Sequence, residues 1–369
     1  FMQSFGATFR RLVLALACTG LVAPVLAAEP LRSETMPLAA SQGLILDLTE
    51  AASRAVAVGD RGQILVSESR TDWRQVPDVP TRATLTAVTA AGDAVWAVGH
   101  DGTILNSRDG GLTWVVQRED VLDTSPDAAF DPRQGVPLLD ILMLDANHGF
   151  AVGAYSQLLR TEDGGATWTF VSTTQAAASS PADDQASQTE EVGNDDSWTL
   201  SEDDLAMEDV SDPHFNAVAR TGSGALLIVG ERGVAFRSRD GGASWERIEL
   251  PYGGSMFGVI GYEGDHAVAF GMRGNVYETF DLGESWSAID TGTDLSLMGG
   301  AVWGEGGFAL VGANGIVVLR EGPGQAPVNQ VYSNAAQETP VLAGVLARAN
   351  RGLLVSGEKG VDQYTPRKQ

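Results

Sequence analysis

One eight-residue pattern restricts this chain's fold more than any other feature. Ser/Thr-x-Asp-x-Gly-x-Ser/Thr-Trp occurs in register at 107–114, 161–168, 238–245 and 279–286. In Ser107-Arg108-Asp109-Gly110-Gly111-Leu112-Thr113-Trp114 the chemistry is that of a tight turn. Asp109 can accept backbone N–H groups across the turn, the glycines supply positive φ, and the Ser107 and Thr113 hydroxyls can close it. Trp114 then opens the next strand with a ring that must be buried. Asp163 and Trp168, Asp240 and Trp245, and Asp281 and Trp286 hold the same places in the other copies. The stretch 67–73 is a degenerate copy, one residue short and without glycines. Each copy is expected to be a structural turn that performs no catalysis.

The boxes sit inside a longer repeat. A glycine follows a short Val-rich strand at Gly59, Gly99, Gly153, Gly230, Gly271, Gly312 and Gly357, at spacings of 40, 54, 77, 41, 41 and 45. A period near 40 with two insertions is the signature of a repeat architecture. Each unit reads as an apolar strand, a strand ending at the marker glycine, a short turn, a third strand, then the box and a fourth strand. The first strands are 44–48, 85–88, 138–143, 215–218, 256–260, 298–302 and 341–346. Four antiparallel strands per unit, seven times over, predict an all-β, seven-bladed propeller whose radial closure protects sheet edges. Blades six and seven lack the box, with Glu321-Gly322-Pro323-Gly324 in its place in the sixth. The seventh runs out of sequence after its third strand, near 361–365. Its outer strand is expected from residues 31–40, by strand exchange.

Residues 1–28 read as a signal peptide, with Arg10 and Arg11 before the apolar run 12–25 and a cut near Ala27 or Ala28. The propeller then occupies 29–369 and the expected location is the periplasm, with no membrane insertion once the signal is removed. Cys18, the only cysteine, lies in the signal, so thiol catalysis and cysteine metal sites are not expected in the mature chain. A lipoprotein signal around Cys18 is disfavoured, because its Leu is misplaced and apolar sequence continues after it. The net charge of −24 excludes nucleic-acid binding through a general electrostatic field and argues against an anionic membrane surface.

Ala97 to Leu105, Ala-Val-Gly-x-x-Gly-x-Ile-Leu, followed by Ser-x-Asp-Gly-Gly-x-Thr-Trp, resembles the photosystem II stability/assembly factor family. Those proteins are seven-bladed Asp-box (BNR-like) propellers, and the resemblance runs over most of 42–365. It implies a non-enzymatic assembly factor for a membrane complex, which holds its client through a cationic patch. For bacterial relatives with secretion signals it implies an accessory role in envelope complexes, exporters of the resistance-nodulation-division type among them. The acidity of this chain and its long acidic insertion depart from the photosynthetic pattern, which makes a photosystem an unsuitable client.

The blade grammar places the turns between second and third strands on one face, with the links between blades, and the boxes on the other. Those turns hold Arg61, His100, Tyr155, Arg232, Arg273 and Lys359, and a ring of cations around the channel mouth could recognise a carboxylate or an acidic loop. The alternative is that each cation is solvated beside its own acid, Asp60, Glu231 or Glu358. Two insertions, 116–137 and 172–213, should crown the same face. The second holds twelve acidic residues and no basic one, a composition expected to be disordered. Its Trp198, with Leu200, Leu205 and Met207, is a candidate docking cluster. No calcium loop of the Asp-x-Asp-x-Asp-Gly type occurs, and His148 and His266 fall at equivalent repeat positions, so no metal, cofactor or catalytic residue is assigned. A sialidase-like or glycan-binding propeller is the alternative. The Arg-Ile-Pro signature of sialidases is absent, but 48 acidic residues leave a carboxylate pair possible.

Overall fold

The computed structural model describes residues 31–36, 42–120, 134–173 and 212–367. The chain forms seven antiparallel sheets, six of four strands and the last of three, each laid down in sequence order. The innermost strands are Ile45–Glu50, Leu85–Ala91, Leu138–Met143, Phe215–Arg220, Met256–Gly261, Leu297–Trp303 and Leu342–Ala347. Each touches the innermost strand of the next blade, and the seventh touches the first, so the ring closes. The all-β seven-bladed propeller read from the repeat is borne out.

The core is not one mass but seven, one at each seam between blades. Val56 and Val66 of blade one pack with Val95, Leu105 and Trp114 of blade two. The later boxes repeat this: Trp168 packs on blade two, Trp245 on blade three and Trp286 on blade four. The box tryptophan is thus a wedge driven into the preceding blade. Trp245 meets Phe150 edge-on, with centroids 5.9 Å apart.

The box turns form one hydrogen-bond pattern four times over. The first hydroxyl donates to the aspartate (Ser107 Oγ to Asp109 Oδ1, 2.7 Å) and accepts the N–H of the second glycine (Gly111, 2.8 Å). Asp109 also accepts Thr113 N–H at 2.9 Å and Thr113 Oγ1–H at 2.6 Å. The same set recurs around Asp163, Asp240 and Asp281. In the degenerate copy Ser69 Oγ takes the aspartate's place, accepting Thr71 N–H at 3.2 Å and Asp72 N–H at 2.9 Å. The second box glycine has two reasons to be glycine. Gly242 has φ +89°, and a Cβ there would overlap the Phe150 ring of the preceding blade. The seven marker glycines are fixed by close approach instead, since a Cβ on Gly59 or Gly99 would strike the carbonyl oxygen just before the inner strand.

The expected strand exchange is not seen among the described residues, and 37–40 of that stretch lie outside them. Among the described residues blade seven ends with its third strand, Gly360–Tyr364. Residues 31–36 run instead beside the outer edge of blade one, where Ser33 N–H meets Val79 O at 2.9 Å and Met36 N–H meets Gln75 Oε1 at 2.8 Å. Met36 then packs into the seam of blades seven and one, beside Trp73 and the cluster of Ile45, Leu48 and Leu354. Residues 31–36 help to seal the ring through the Met36 side chain. The fourth strand of blade two extends to Arg118, so the first insertion begins after residue 118 and not at 116.

Two substitutions test the wedge. Gly242→Ala combines positive φ with overlap on Phe150 and is expected to cost about 2–4 kcal/mol. Trp245→Ala should cost about 3–5 kcal/mol. Denaturant unfolding of both variants, with an unaltered far-ultraviolet spectrum in buffer, measures them; a loss below about 1 kcal/mol for both would remove the wedge as the basis of the seam.

Candidate partner-binding face and channel

The turns between second and third strands share one backbone design. In Asp60–Gly62, Glu231–Gly233 and Met272–Gly274 the middle residue is left-handed: Arg61 at φ 53°, Arg232 at 52° and Arg273 at 57°. Asp101, Tyr155 and Asn314 take the same conformation in blades two, three and six. The first N–H of each turn is held by the carbonyl just before the inner strand, as from Asp60 to Leu44 at 3.0 Å and from Met272 to Ser255 at 3.0 Å. That bond pulls the turn down and leaves its middle side chain in solvent.

The ring of cations is therefore partial. Arg61, Arg232 and Arg273 are equivalent and exposed, on blades one, four and five. His100 is exposed but one position earlier, and Asp101 holds the corresponding place. Lys359 sits in a tighter turn that pairs Gly357 with Gly360, and its ammonium faces Glu338 at 3.4 Å, not the neighbouring Glu358. Arg61 lies 3.9 Å from Asp60. Tyr155 meets His214 edge-on at 5.3 Å, and Ser156 N–H binds Pro213 O at 2.8 Å. The end of the acidic insertion is thus tied to the Tyr155 turn. Trp198 falls outside the described residues. None of these turn residues lines the cavity at the channel, whose lining comes mainly from the innermost strands.

The channel belongs to the inner strands. All seven carry a bulge after their first residue, which re-aims Leu46, Thr86, Leu139, Asn216, Phe257, Met298 and Ala343 towards the axis. The cavity there is about 190 Å³, and two carboxylates reach it, Asp47 and Asp140. Asp47 accepts Leu48 N–H on one oxygen and Val88 N–H of blade two on the other, both at 2.8 Å. Asp140 does the same with Ile141 and with Val218 of blade four, also at 2.8 Å. Enclosure by protein pushes both acids up to about 7 against the pull of these hydrogen bonds, and the Asp47 charge raises Asp140 further. With every oxygen held by backbone, the pair stitches blades one to two and three to four. The box aspartates behave oppositely. For Asp240 the Ser244, Ser238 and backbone donors hold the carboxyl at about 2, and for Asp109 similar bonds outweigh partial burial to the same value.

Asp47 and Asp140 had a visible signal, an acid inside an otherwise apolar run (Ile-Leu-Asp-Leu and Leu-Leu-Asp-Ile), but only the bulge explains where it points. Of the histidines, His148 is exposed and pairs with Asp145, while His266 is stacked between Tyr262 and Phe280 and meets Glu278 Oε1 at 2.8 Å. No group of three or more potential metal-ligating side chains comes together among the described residues. No helix among them is long and apolar enough to cross a membrane.

Comparison with known proteins bears out the family resemblance. The family described as photosynthesis system II assembly factor YCF48 matches residues 184–327. The photosystem II assembly lipoprotein Ycf48 of Synechococcus sp. (strain CC9902) is 28% identical over 182 residues, 48% of this chain and 44% of that protein. The chain thus spans under half the length of that relative. A solved structure of YCF48 bound to D1 peptide superimposes with a TM-score of 0.61 at 16% identity, covering 90% of this chain and 96% of that one. The GH74 enzyme of Niastella koreensis gives 0.60 at 13% identity, covering 88% and 53%. Both structural likenesses show the shared fold alone.

The two classes of carboxylate oppose each other in pH. Asp109 and Asp240, lowered on folding, contribute stability above about pH 4 that is lost as pH falls towards 2. Asp47 and Asp140, raised on folding, favour the fold fully below about pH 4 and progressively less as pH rises through 7. The midpoint of thermal unfolding should therefore peak near pH 4–5. In the Asp47→Asn/Asp140→Asn variant the decline from pH 5 to 8 should flatten while the acid limb stays; an unchanged neutral limb contradicts the channel assignment.

Proposed function

We propose that this propeller is a non-catalytic binding scaffold, an assembly or accessory factor for a membrane complex of the cell envelope. The observation that carries the reading is the match of residues 184–327 to the assembly-factor family, on a fold whose repeated polar features are structural. The boxes spend their hydroxyls and carboxylates on their own turns, and the channel acids spend theirs on backbone N–H groups. A relative is described as bound to a D1 peptide, which is precedent for peptide capture by such a ring. The periplasm is the proposed location, from the signal-like residues 1–28, and an exporter of the resistance-nodulation-division type is the proposed client class.

The face of the second-to-third turns is the proposed client surface. Arg61, Arg232 and Arg273 stand there on equivalent left-handed turns, with His100, Tyr155 and Lys359 between them. On a chain of net charge −24, a rim that displays guanidinium groups is distinctive, and arginine pairs well with carboxylates. In sequence the acidic insertion that holds Trp198 falls between blades three and four, and its described end at Pro213 meets the Tyr155 turn on this side. Affinity capture from detergent-solubilised envelope should return one membrane complex. Arg232→Glu with Arg273→Glu should weaken that capture tenfold or more. Retained capture by the double variant removes the face, and turnover of a glycan panel, abolished at Asp47 or Asp140, would replace the scaffold by a glycosidase.

A further inference from the structure

The four boxes show what a seam between blades takes: an aromatic ring from a turn rich in acid and glycine. Blades six and seven have no box, and the structure deals with the two seams differently. At the seam of blades five and six the register puts Arg320 where a box has its first hydroxyl, opposite Phe308 as Ser107 is opposite Val95. Arg320 is buried and binds Glu278 of blade five through two nitrogens, one of them at 3.0 Å. Tyr262, His266 and Phe280 stack beside the pair, so this seam is filled from within.

The seam of blades six and seven has a buried core that includes Leu319, Tyr332, Leu342 and Leu353, but it stays open beside Trp303. Tyr364 lies opposite Leu353, the place of the first box hydroxyl, and Pro366 then stands where the aspartate belongs, so no box can form there. Two adjoining cavities open at this spot, of about 680 and 490 Å³, sharing Trp303, Glu321, Gln325 and Arg351. Leu319, which corresponds to Val66 beneath Trp114, lines the second. Trp303 forms an apolar wall and is only 8% exposed, and its indole N–H has no hydrogen-bond partner. The Arg351 guanidinium covers its ring at 4.9 Å and is held by Glu321.

Three arginines, Arg348, Arg351 and Arg367, and two glutamates, Glu305 and Glu321, line the cavities, an excess of positive charge in an acidic protein. Arg348 lines the first cavity and Arg367 the second. The Arg348 guanidinium is bound to the neutral Gln363 side chain at 2.8 Å, and neither arginine is within ion-pair distance of a carboxylate among the described residues. An opening beside Trp303 with two guanidinium groups at its edge that pair with no carboxylate among the described residues is complementary to an aromatic side chain flanked by carboxylates.

We propose that this groove is a second binding site, which takes a partner's extended acidic segment by inserting one aromatic side chain against Trp303 and Leu319. Arg348 and Arg367 would pair with the flanking carboxylates, and Arg351 would swing aside or stack on the incoming ring. The site lies on the face of the boxes, opposite the proposed client surface, and does not depend on it.

The probe is a short fluorescein-labelled peptide with one tryptophan between aspartates and glutamates, titrated into the full chain by fluorescence anisotropy. Saturable micromolar binding is expected, lost when the peptide tryptophan is replaced by alanine. Arg348→Glu with Arg367→Glu should weaken binding at least tenfold. Gln325→Trp, an exposed position that would fill the gap from within, should block it while leaving thermal unfolding unchanged. Arg232→Glu with Arg273→Glu should bind the peptide normally, which separates this site from the client face. Absence of saturable binding, or equal affinity for the wild type and the Gln325→Trp variant, would overturn the proposal.

Discussion

The contact on which the ring depends is that of a box turn with the blade before it. A tryptophan and a glycine from one sheet enter the side of its neighbour, so that Gly242 lies on Phe150 and Trp245 packs edge-on beside it. Within a blade, backbone ladders do the work, and any four-stranded sheet would have them. Between blades there is no ladder, and cohesion must come from buried apolar area. The box is the device that delivers a large ring to that place at a fixed angle. Its hydrogen bonds matter because they fix the turn that aims the ring.

The seams without a box show what else can serve. Arg320 and Glu278 replace a box with a buried ion pair, an expensive substitute unless its lone pairs are satisfied. Here His266 completes Glu278, and although burial works to raise the Glu278 carboxyl, Arg320 and His266 hold it below the usual range. The seam of blades seven and one is sealed by Met36, Trp73 and Leu346 around an aliphatic cluster. The seam of blades six and seven keeps an opening. Irregularity in this ring is thus concentrated in one sector, blades six and seven and the closure on blade one, while blades two to five follow one plan.

A fold that appears in assembly factors and in a glycoside hydrolase alike cannot settle function by its shape. The site chemistry points towards binding. Carboxylates that would have to move protons are pinned on both oxygens at Asp47 and Asp140, whereas Arg61, Arg232 and Arg273 stand exposed on their turns. The acidity of the chain sharpens the contrast, since it makes its few displayed cations the local exceptions in a repelling field.

By itself the sequence determined the blade count, the boxes and the marker glycines, because each rests on local geometry: a turn needing Asp and Gly, a strand ending where no Cβ fits. It also determined which residues share a face, since strand alternation and turn order are properties of the repeat. Tertiary structure decided what depends on contacts far apart along the chain. Residues 31–36 follow blade one because their hydrogen-bond partners there are Val79 and Gln75, not an open edge of blade seven. Lys359 leaves the series because its turn is shorter, and His100 because Asp101 takes the left-handed place. Asp47 and Asp140 become channel groups through a bulge that no composition reveals, and the groove beside Trp303 exists because two neighbouring blades lack the same wedge.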